Sequence, residues 1–354
     1  MAYPTGYSKY QEVTIDKDEV DADLTDFPVY VDLSDLVKAG DDLFDTCRSD
    51  GGDIRITKAD GTTQLAREVV AIDTTAKTGQ LHFKYTGTLS STADTIVRIY
   101  YNGTDTEPAT DSTYGRDNVW SRYISVHHLN SNVITDSTGN GHTGTANNMD
   151  SGNIVTGKFG TALDYNGSNE YVSIPDSAPY DSASGNLMIS FWGKVDTTPH
   201  NDGFVWKKGS GNTAATGWGD YMQDDTEGWF RCDGGGADIY IKEHHTIGDW
   251  FLKHYVVDRS GTMKSFLDGV ADGTPVDATS LGSMATGNDV WFGRATSGSE
   301  YTDGQQQEVR IGTSIVSTEW MLAEESNQSA PSTFYATGDE KSGGTTFVPT
   351  VMMF

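Results

Sequence analysis

Residues 250–273 read WFLKHYVVDRSGTMKSFLDGVADG. Two stretches within it, 251–258 and 263–267, carry the period-two apolar pattern of strands with one buried face. Arg259-Ser260-Gly261 lies between them, and Asp268-Gly269 follows Leu267. Such residues mark chain reversals, because Gly tolerates the positive φ that tight turns need.

The pattern continues on both sides. Upstream, strands are predicted at 124–129, 171–174, 187–195, 204–207, 229–232 and 238–242; downstream, at 290–293 and 308–311. Together they make an all-β unit of about 215 residues, a size that a single jelly roll can reach. One helix is predicted near its end, at 317–325. Ser317 or Thr318 can cap it, Glu319 lies in the first turn, and Trp320, Met321 and Ala323 follow.

Before this unit, strands are predicted at 11–16, 27–33, 53–58, 67–73, 80–86 and 95–101, with a short helix at 34–44. Asp60-Gly61 reads as a hairpin turn. That spacing argues for an antiparallel β-sandwich. The polar stretch 102–118 (NGTDTEPATDSTYGRDN) has no apolar period and suggests a boundary. The expected organisation is therefore a sandwich at 1–115, a jelly roll at 116–336, and at 337–354 a Gly/Ser linker with an apolar tail running from Phe347 to Phe354 (FVPTVMMF).

Composition narrows the function classes. The 354 residues include 51 acidic and 24 basic side chains, a net charge of −27. No basic cluster exceeds Lys207-Lys208, so a nucleic-acid partner would find no cationic surface. No apolar run approaches the ~20 residues of a spanning helix, so a membrane role is not expected either. Forty Gly, 17 Tyr and 8 Trp against nine Pro fit short strands and tight turns. Cys47 and Cys232 form no disulfide framework. The start, MAYPTGY, lacks the basic and apolar regions of a secretory signal, so synthesis in a host cytoplasm is expected.

Several blocks resemble a known family. Residues 125–129 with Asp136-Ser137-Thr138-Gly139-Asn140-Gly141-His142-Thr143-Gly144-Thr145 are similar to the opening of laminin-G-like, concanavalin A-like jelly rolls. Residues 157–168 (GKFGTALDYNGS) and Tyr171-Val172-Ser173-Ile174-Pro175 continue the likeness. Residues 250–273 look like that family's central hairpin. Glu308-Val309-Arg310-Ile311, then Trp320 and Ala323-Glu324, resemble its last strand and terminal helix. The first unit resembles the family of unknown function numbered 2341, through 24–29 (LTDFPV), 48–55 (RSDGGDIR) and 89–101. The two resemblances imply a phage virion or bacterial surface protein.

The jelly-roll family contains binders and glycoside hydrolases. A retaining hydrolase of this fold needs carboxylates on one strand face, in Glu-x-Asp-x-Glu or Glu-x-Asp-x-x-Glu spacing. The single Glu-x-Asp here is Glu19-Val20-Asp21, in the first unit, with Leu24 where a further acid could stand. No His-Glu-x-x-His, Gly-x-Ser-x-Gly or P-loop is present. The adjacent pairs His127-His128 and His244-His245 point to opposite strand faces, and one packed and one solvated ring is expected in each. The reading is non-enzymatic.

Two binding chemistries remain. Loop aromatics can serve as platforms for sugar rings, and Trp206, Trp218, Tyr221, Trp229 and Tyr240 are the candidates, with Trp218 expected in a Gly-rich loop. Trp192 and Trp291 are expected in the core. The family resemblance implies calcium at Asp136, with Asn140 and His142 through the loop and Gln307 standing where the family often has Asp. Alternatively, Asp136 simply ties its own turn. The overall expectation is a bacteriophage head-decoration or tail-fibre protein on the virion surface. Its partners would be host glycan or other virion subunits, through 347–354, as a homo-oligomer or part of a larger assembly. A bacterial polysaccharide-binding adhesin and a capsule depolymerase are the alternatives.

Overall fold

In β1 (Lys9–Ile15), Gln11, Val13 and Ile15 are buried and the residues between them are not. The alternation recurs at the start of β7 (Thr95–Tyr101), whereas β2 (Leu24–Asp32), β3 (Arg55–Lys58) and β6 (Thr78–Leu89) carry continuous buried runs; β4 (Gln64–Leu65) and β5 (Arg67–Asp73) complete the set. The computed structural model describes residues 5–40, 42–197, 202–209, 215–224, 226–235, 237–295 and 300–342. All named strand pairs are antiparallel, as expected for a sandwich: β2-β6-β5 form one sheet and β1-β7-β3-β4 belong to the other. Phe27, Val29, Val31, Ile56, Leu81, Phe83, Val97 and Ile99 supply a fully buried core.

Asp60-Gly61 makes the expected turn: Gly61 has φ +67°, and the Asp60 side chain accepts from the Thr62 and Thr63 amides. The expected helix at 34–44 shrinks to one 3-10 turn, Leu33–Leu36, capped by Asp32. The polar stretch 102–118 is more than a connector. Glu107 takes both Nη1 bonds of the buried Arg67, and Thr106 accepts from Arg55. A one-turn helix, α1 (Arg116–Val119), ends the segment.

The second unit covers Trp120–Glu325. Its strands are β8 (Tyr123–His127), β9 (Thr145–Asn147), β10 (Ile154–Thr156), β11 (Thr161–Asn166), β12 (Tyr171–Ile174), β13 (Leu187–Val195), β14 (Val205–Lys208) and β15 (Gly217–Met222). There follow β16 (Glu227–Asp233), β17 (Asp238–His244), β18 (Trp250–Val257), β19 (Thr262–Leu267), β20 (Val270–Asp277), β21 (Val290–Phe292) and β22 (Asp303–Gly312). An eight-stranded sheet runs β10-β11-β22-β13-β18-β19-β20, with β8 also on β22; a seven-stranded sheet runs β17-β16-β15-β14-β21-β12-β9. Neighbours far apart in sequence, paired antiparallel in two layers, make a concanavalin A-like jelly roll. Its interior joins Ile189, Phe191 and Tyr255 from one sheet to Val172, Phe230 and Phe292 from the other. Phe230 and Tyr255 stack with centroids 4.0 Å apart.

The terminal helix, α2 (Thr318–Ser329), starts where expected, with Ser317 Oγ accepting from the Trp320 amide. The domain plan differs beyond it. Residues 326–342 group with the first unit, residues 5–119, rather than with the jelly roll. After α3 (Pro331–Phe334), β23 (Tyr335–Thr337) and β24 (Lys341–Ser342) pair antiparallel with β1. Tyr335 donates its hydroxyl to Asp35, and Asn327 bonds both backbone groups of Tyr30. These strands are too short to show a period, which is why 337 onward read as linker. The 347–354 tail lies outside the described residues. No helix among the described residues is long and apolar enough to cross a membrane.

Candidate functional site

Strand alternation sorts the seven-stranded sheet into two faces. Trp218, Phe230, Cys232, Ile241 and Phe292 enter the core. Their sequence neighbours face the other way. Cross-strand partners on that outer face are Arg231 with Tyr240, Tyr221 with Trp229, Gly219 with Trp206, and Trp206 with Trp291. An aromatic row therefore crosses five adjacent strands. Tyr221 and Trp229 stack at 5.9 Å with planes 7° apart, and Tyr240 meets Trp229 edge-on at 6.1 Å.

Exposure divides the row. Tyr240 is 55% exposed, and Trp229 and Trp291 are half-buried. Trp206 and Tyr221 in the middle are buried and pack with Ala295. At the Trp291 end, the Arg294 guanidinium sits 4.6–5.0 Å from the ring centres of Trp291, Tyr171 and Tyr301. Such stacking holds a cation against ring faces. The other cations of this face meet acids: Arg231 pairs with Asp238, Lys242 with Glu227, and Lys208 lies 3.8 Å from Asp233. These pairs leave little net charge for a charged ligand to meet there.

Four of the five aromatic candidates, Trp206, Tyr221, Trp229 and Tyr240, thus share one face. Trp218 does not. It lies in β15, fully buried, its Nε1 donating to the Tyr180 carbonyl at 2.9 Å. The glycines around it suggested a loop, but each serves close packing in a strand. A β-carbon at Gly217 would stand 2.1 Å from the Lys207 carbonyl oxygen, and one at Gly219 would strike Trp206. Trp192 is buried as expected, whereas Trp291 belongs to the outer face. Tyr171 could have been assigned from alternation, since Val172 and Ile174 are buried. Arg294 and Tyr301 arrive through an isolated bridge that no local pattern announces.

The calcium set does not assemble as a cation site. Asp136 accepts from the amides of Val126, Thr138 and His142 at 2.9–3.2 Å and from the Thr138 hydroxyl. His142 therefore presents an N–H to the carboxylate, where a cation needs an oxygen. Asn140 donates to the Tyr123 and Ile124 carbonyls, and its side chain and His142 line an open groove with Arg122 and Pro179. Gln307 is engaged elsewhere, accepting from Lys158 N and donating to the Phe159 carbonyl. The donor set fits the turn-tying reading.

Of the two histidine pairs, His127-His128 differs from expectation and His244-His245 follows it. His127 and His128 are both buried: His127 bonds the Thr135 carbonyl, and burial lowers its pKa to about 4. His244 is half-exposed on Asp272, while His245 is buried against the Asp224 carbonyl.

Carboxyls do gather inside the sandwich, where no spacing motif pointed. Asp220 on β15, Glu243 on β17 and Asp272 on β20 surround Lys253 and Tyr255 on β18. Glu243 accepts from Tyr255 Oη at 2.9 Å and lies 3.2 Å from Lys253 Nζ. Asp220 accepts from the Phe204 and Val205 amides. Burial, then the neighbouring Glu243, pushes Asp220 up to about 8. Burial also raises Glu243. The space beside Asp220, Glu243 and Lys253 has no room for a water molecule. Glycoside hydrolysis needs carboxyls flanking a sugar and reachable by water; these are sealed between two sheets.

The strand order and the two-layer core agree with a family match. Residues 166–320 match the concanavalin A-like lectin/glucanases superfamily. The match lies within the second unit and covers less than half of the chain. No curated protein matches the sequence. Among solved structures, the binding domain of Paraclostridial Mosquitocidal Protein 1 is similar at 14% identity and TM-score 0.48, over 58% of this chain and 52% of that one. The Botulinum Neurotoxin serotype G binding domain is similar at 16% identity and TM-score 0.48, over 59% and 51%. The serotype D ligand binding domain, solved with N-acetylneuraminic acid, gives 13%, 0.47, 58% and 51%. The chain spans about half the length of these structures, and the likeness is one of fold alone.

Proposed function

We propose that this chain is a non-enzymatic binding protein whose outer aromatic row engages the ring faces of a surface glycan. The observation that carries this reading is the placement of Tyr240, Trp229 and Trp291 on one face of a single sheet, joined through the buried Tyr221 and Trp206, with Arg294 held among three rings at one end. Flat aromatic faces take apolar C–H surfaces, and nearby polar groups take hydroxyls. The paired charges of the face suit a glycan of low charge. The sealed carboxyl cluster supports the non-enzymatic part of the reading.

The setting we favour is the outer surface of a bacteriophage virion, as a head-decoration or tail-fibre protein with the first unit as a spacer. Its two-unit all-β plan and acidic surface are compatible with that place. Co-purification with particles and electron microscopy of them test it.

A glycan array with the intact chain, Trp229→Ala and Tyr240→Ala tests the binding reading. We expect a defined glycan to be retained by the native protein and lost by both variants without a change in melting temperature. Equal retention by all three, or none by the native chain, overturns the reading. Reducing ends released from the bound polysaccharide would instead indicate a depolymerase.

A further inference from the structure

Lys253 is 2% exposed in the interior of the second unit. Its Nζ lies 2.9 Å from Asp272 Oδ2 and 3.2 Å from Glu243 Oε2. Phe191, Phe204, Phe251 and Met222 wall the space beside Lys253 and Glu243. The backbone is shaped to deliver Asp272 there. The β19–β20 register slips between Met263 and Ser265, which sets Asp272 opposite Ser265. Gly273 makes the bulge with φ +82°, at a point where a β-carbon would meet the Lys242 carbonyl at 2.0 Å.

An amine and a carboxyl held this close in an apolar interior gain little from remaining an ion pair, because both charges have lost their water. Reaction needs the neutral amine and the neutral acid, which the pair reaches when one proton passes from Lys253 Nζ to Asp272 Oδ2, 2.9 Å away. Glu243 is the third group. It accepts from Tyr255 Oη and Ser265 Oγ, and burial raises its pKa, so it is placed to take up a proton and pass it on. Asp272 has the features of an acceptor carbon. The His244 amide donates to Oδ2 at 2.9 Å, and His244 Nδ1 lies 2.6 Å from Oδ1, so charge developing on those oxygens is stabilised.

We propose that Lys253 and Asp272 join in an intramolecular isopeptide bond, with Glu243 as the proton carrier. Neutral Nζ attacks Cγ of the protonated Asp272 carboxyl and the Nζ–Cγ bond forms. Glu243 gives its proton to the departing hydroxyl, the Cγ–O bond breaks, and one water leaves. Nζ then returns a proton to Glu243. Amine and acid become amide and water, and nothing is oxidised or reduced. The sealed space keeps out the water that would reverse the step. The bond ties β18 to β20 across β19, so this part of the sheet cannot be peeled apart strand by strand.

Intact-mass spectrometry of the full chain tests the proposal. The native protein should be lighter than its sequence by one water, and a digest should contain one linked peptide joining Lys253 to Asp272, uncut after Lys253. A succinimide at Asp272-Gly273 would also lose water, so Lys253→Arg is the control and should restore the full mass. Glu243→Gln should leave the pair unlinked, with circular dichroism confirming that the variant folds. Asp272→Asn should lose ammonia in place of water, which assigns the acceptor even if that variant is less stable. A native protein of full sequence mass overturns the proposal. So does a water loss that persists in Lys253→Arg, or one that persists unchanged in Asp272→Asn.

Discussion

The indole of Trp206 occupies the space that a side chain at Gly219 would need: a β-carbon there would stand 2.3 Å from the ring's Cε3. The two residues are cross-strand partners on β14 and β15. Gly219→Ala should therefore push Trp206 out of place and destabilise the second unit by about 1–3 kcal/mol, the usual cost of overpacking. A lower urea midpoint together with a red-shifted tryptophan emission would confirm it. An unchanged emission spectrum would show that the ring is not seated there.

Asp220 gives the jelly roll a pH-dependent stability. Its carboxyl is raised from the ordinary 3.8 to about 8 by burial and then by Glu243. Between those values the folded chain holds a proton that the unfolded chain has lost. Stability should therefore fall as pH rises from about 4 to about 8, and this contribution should level off above that. Asp220→Asn cannot ionise and should remove that part of the slope. Urea titrations at about pH 5 and about pH 8 compare the two proteins, and equal slopes would refute the assignment.

Arg310 is fully buried between Glu308 at 2.9 Å and Glu324 at 2.7 Å, with Trp120 beneath it. Arg310→Ala leaves two buried carboxyls without their shared cation, and a loss of about 3–5 kcal/mol is expected. Replacing all three residues by apolar and amide groups of similar size should recover part of that loss. Chemical unfolding of the single and triple variants checks both expectations.

Asp136 stitches its loop together through three amides and one hydroxyl. Asp136→Ala should cost about 1–3 kcal/mol by leaving buried donors unsatisfied. Calcium or a chelator should leave the native melting temperature unchanged. A calcium-dependent rise would revive the cation site that the family resemblance suggested.

Local pattern made much of the fold readable. Strands such as Arg67–Asp73, Thr95–Tyr101, Tyr171–Ile174 and Leu187–Val195 carry enough apolar side chains to mark themselves. Gly217–Met222 did not, because its two glycines answer to a neighbouring indole and carbonyl rather than to a turn. Tyr335–Thr337 did not either, because a three-residue strand has no period to show. The aromatic row was partly legible: Trp206, Tyr221, Trp229 and Tyr240 could be singled out, while Trp291 read as core because its face is not a local property.

By itself the sequence determined an all-β chain with a jelly roll in its second part, since strand period, turn residues and block order are all local properties. It also determined that no local run of carboxylates forms a hydrolase motif. Only the tertiary structure decided which tryptophans face outward, that the C-terminal strands return to β1, and that Lys253, Asp272 and Glu243 meet. Those outcomes depend on register between strands far apart in the chain, and a one-residue slip there moves every side chain to the opposite face.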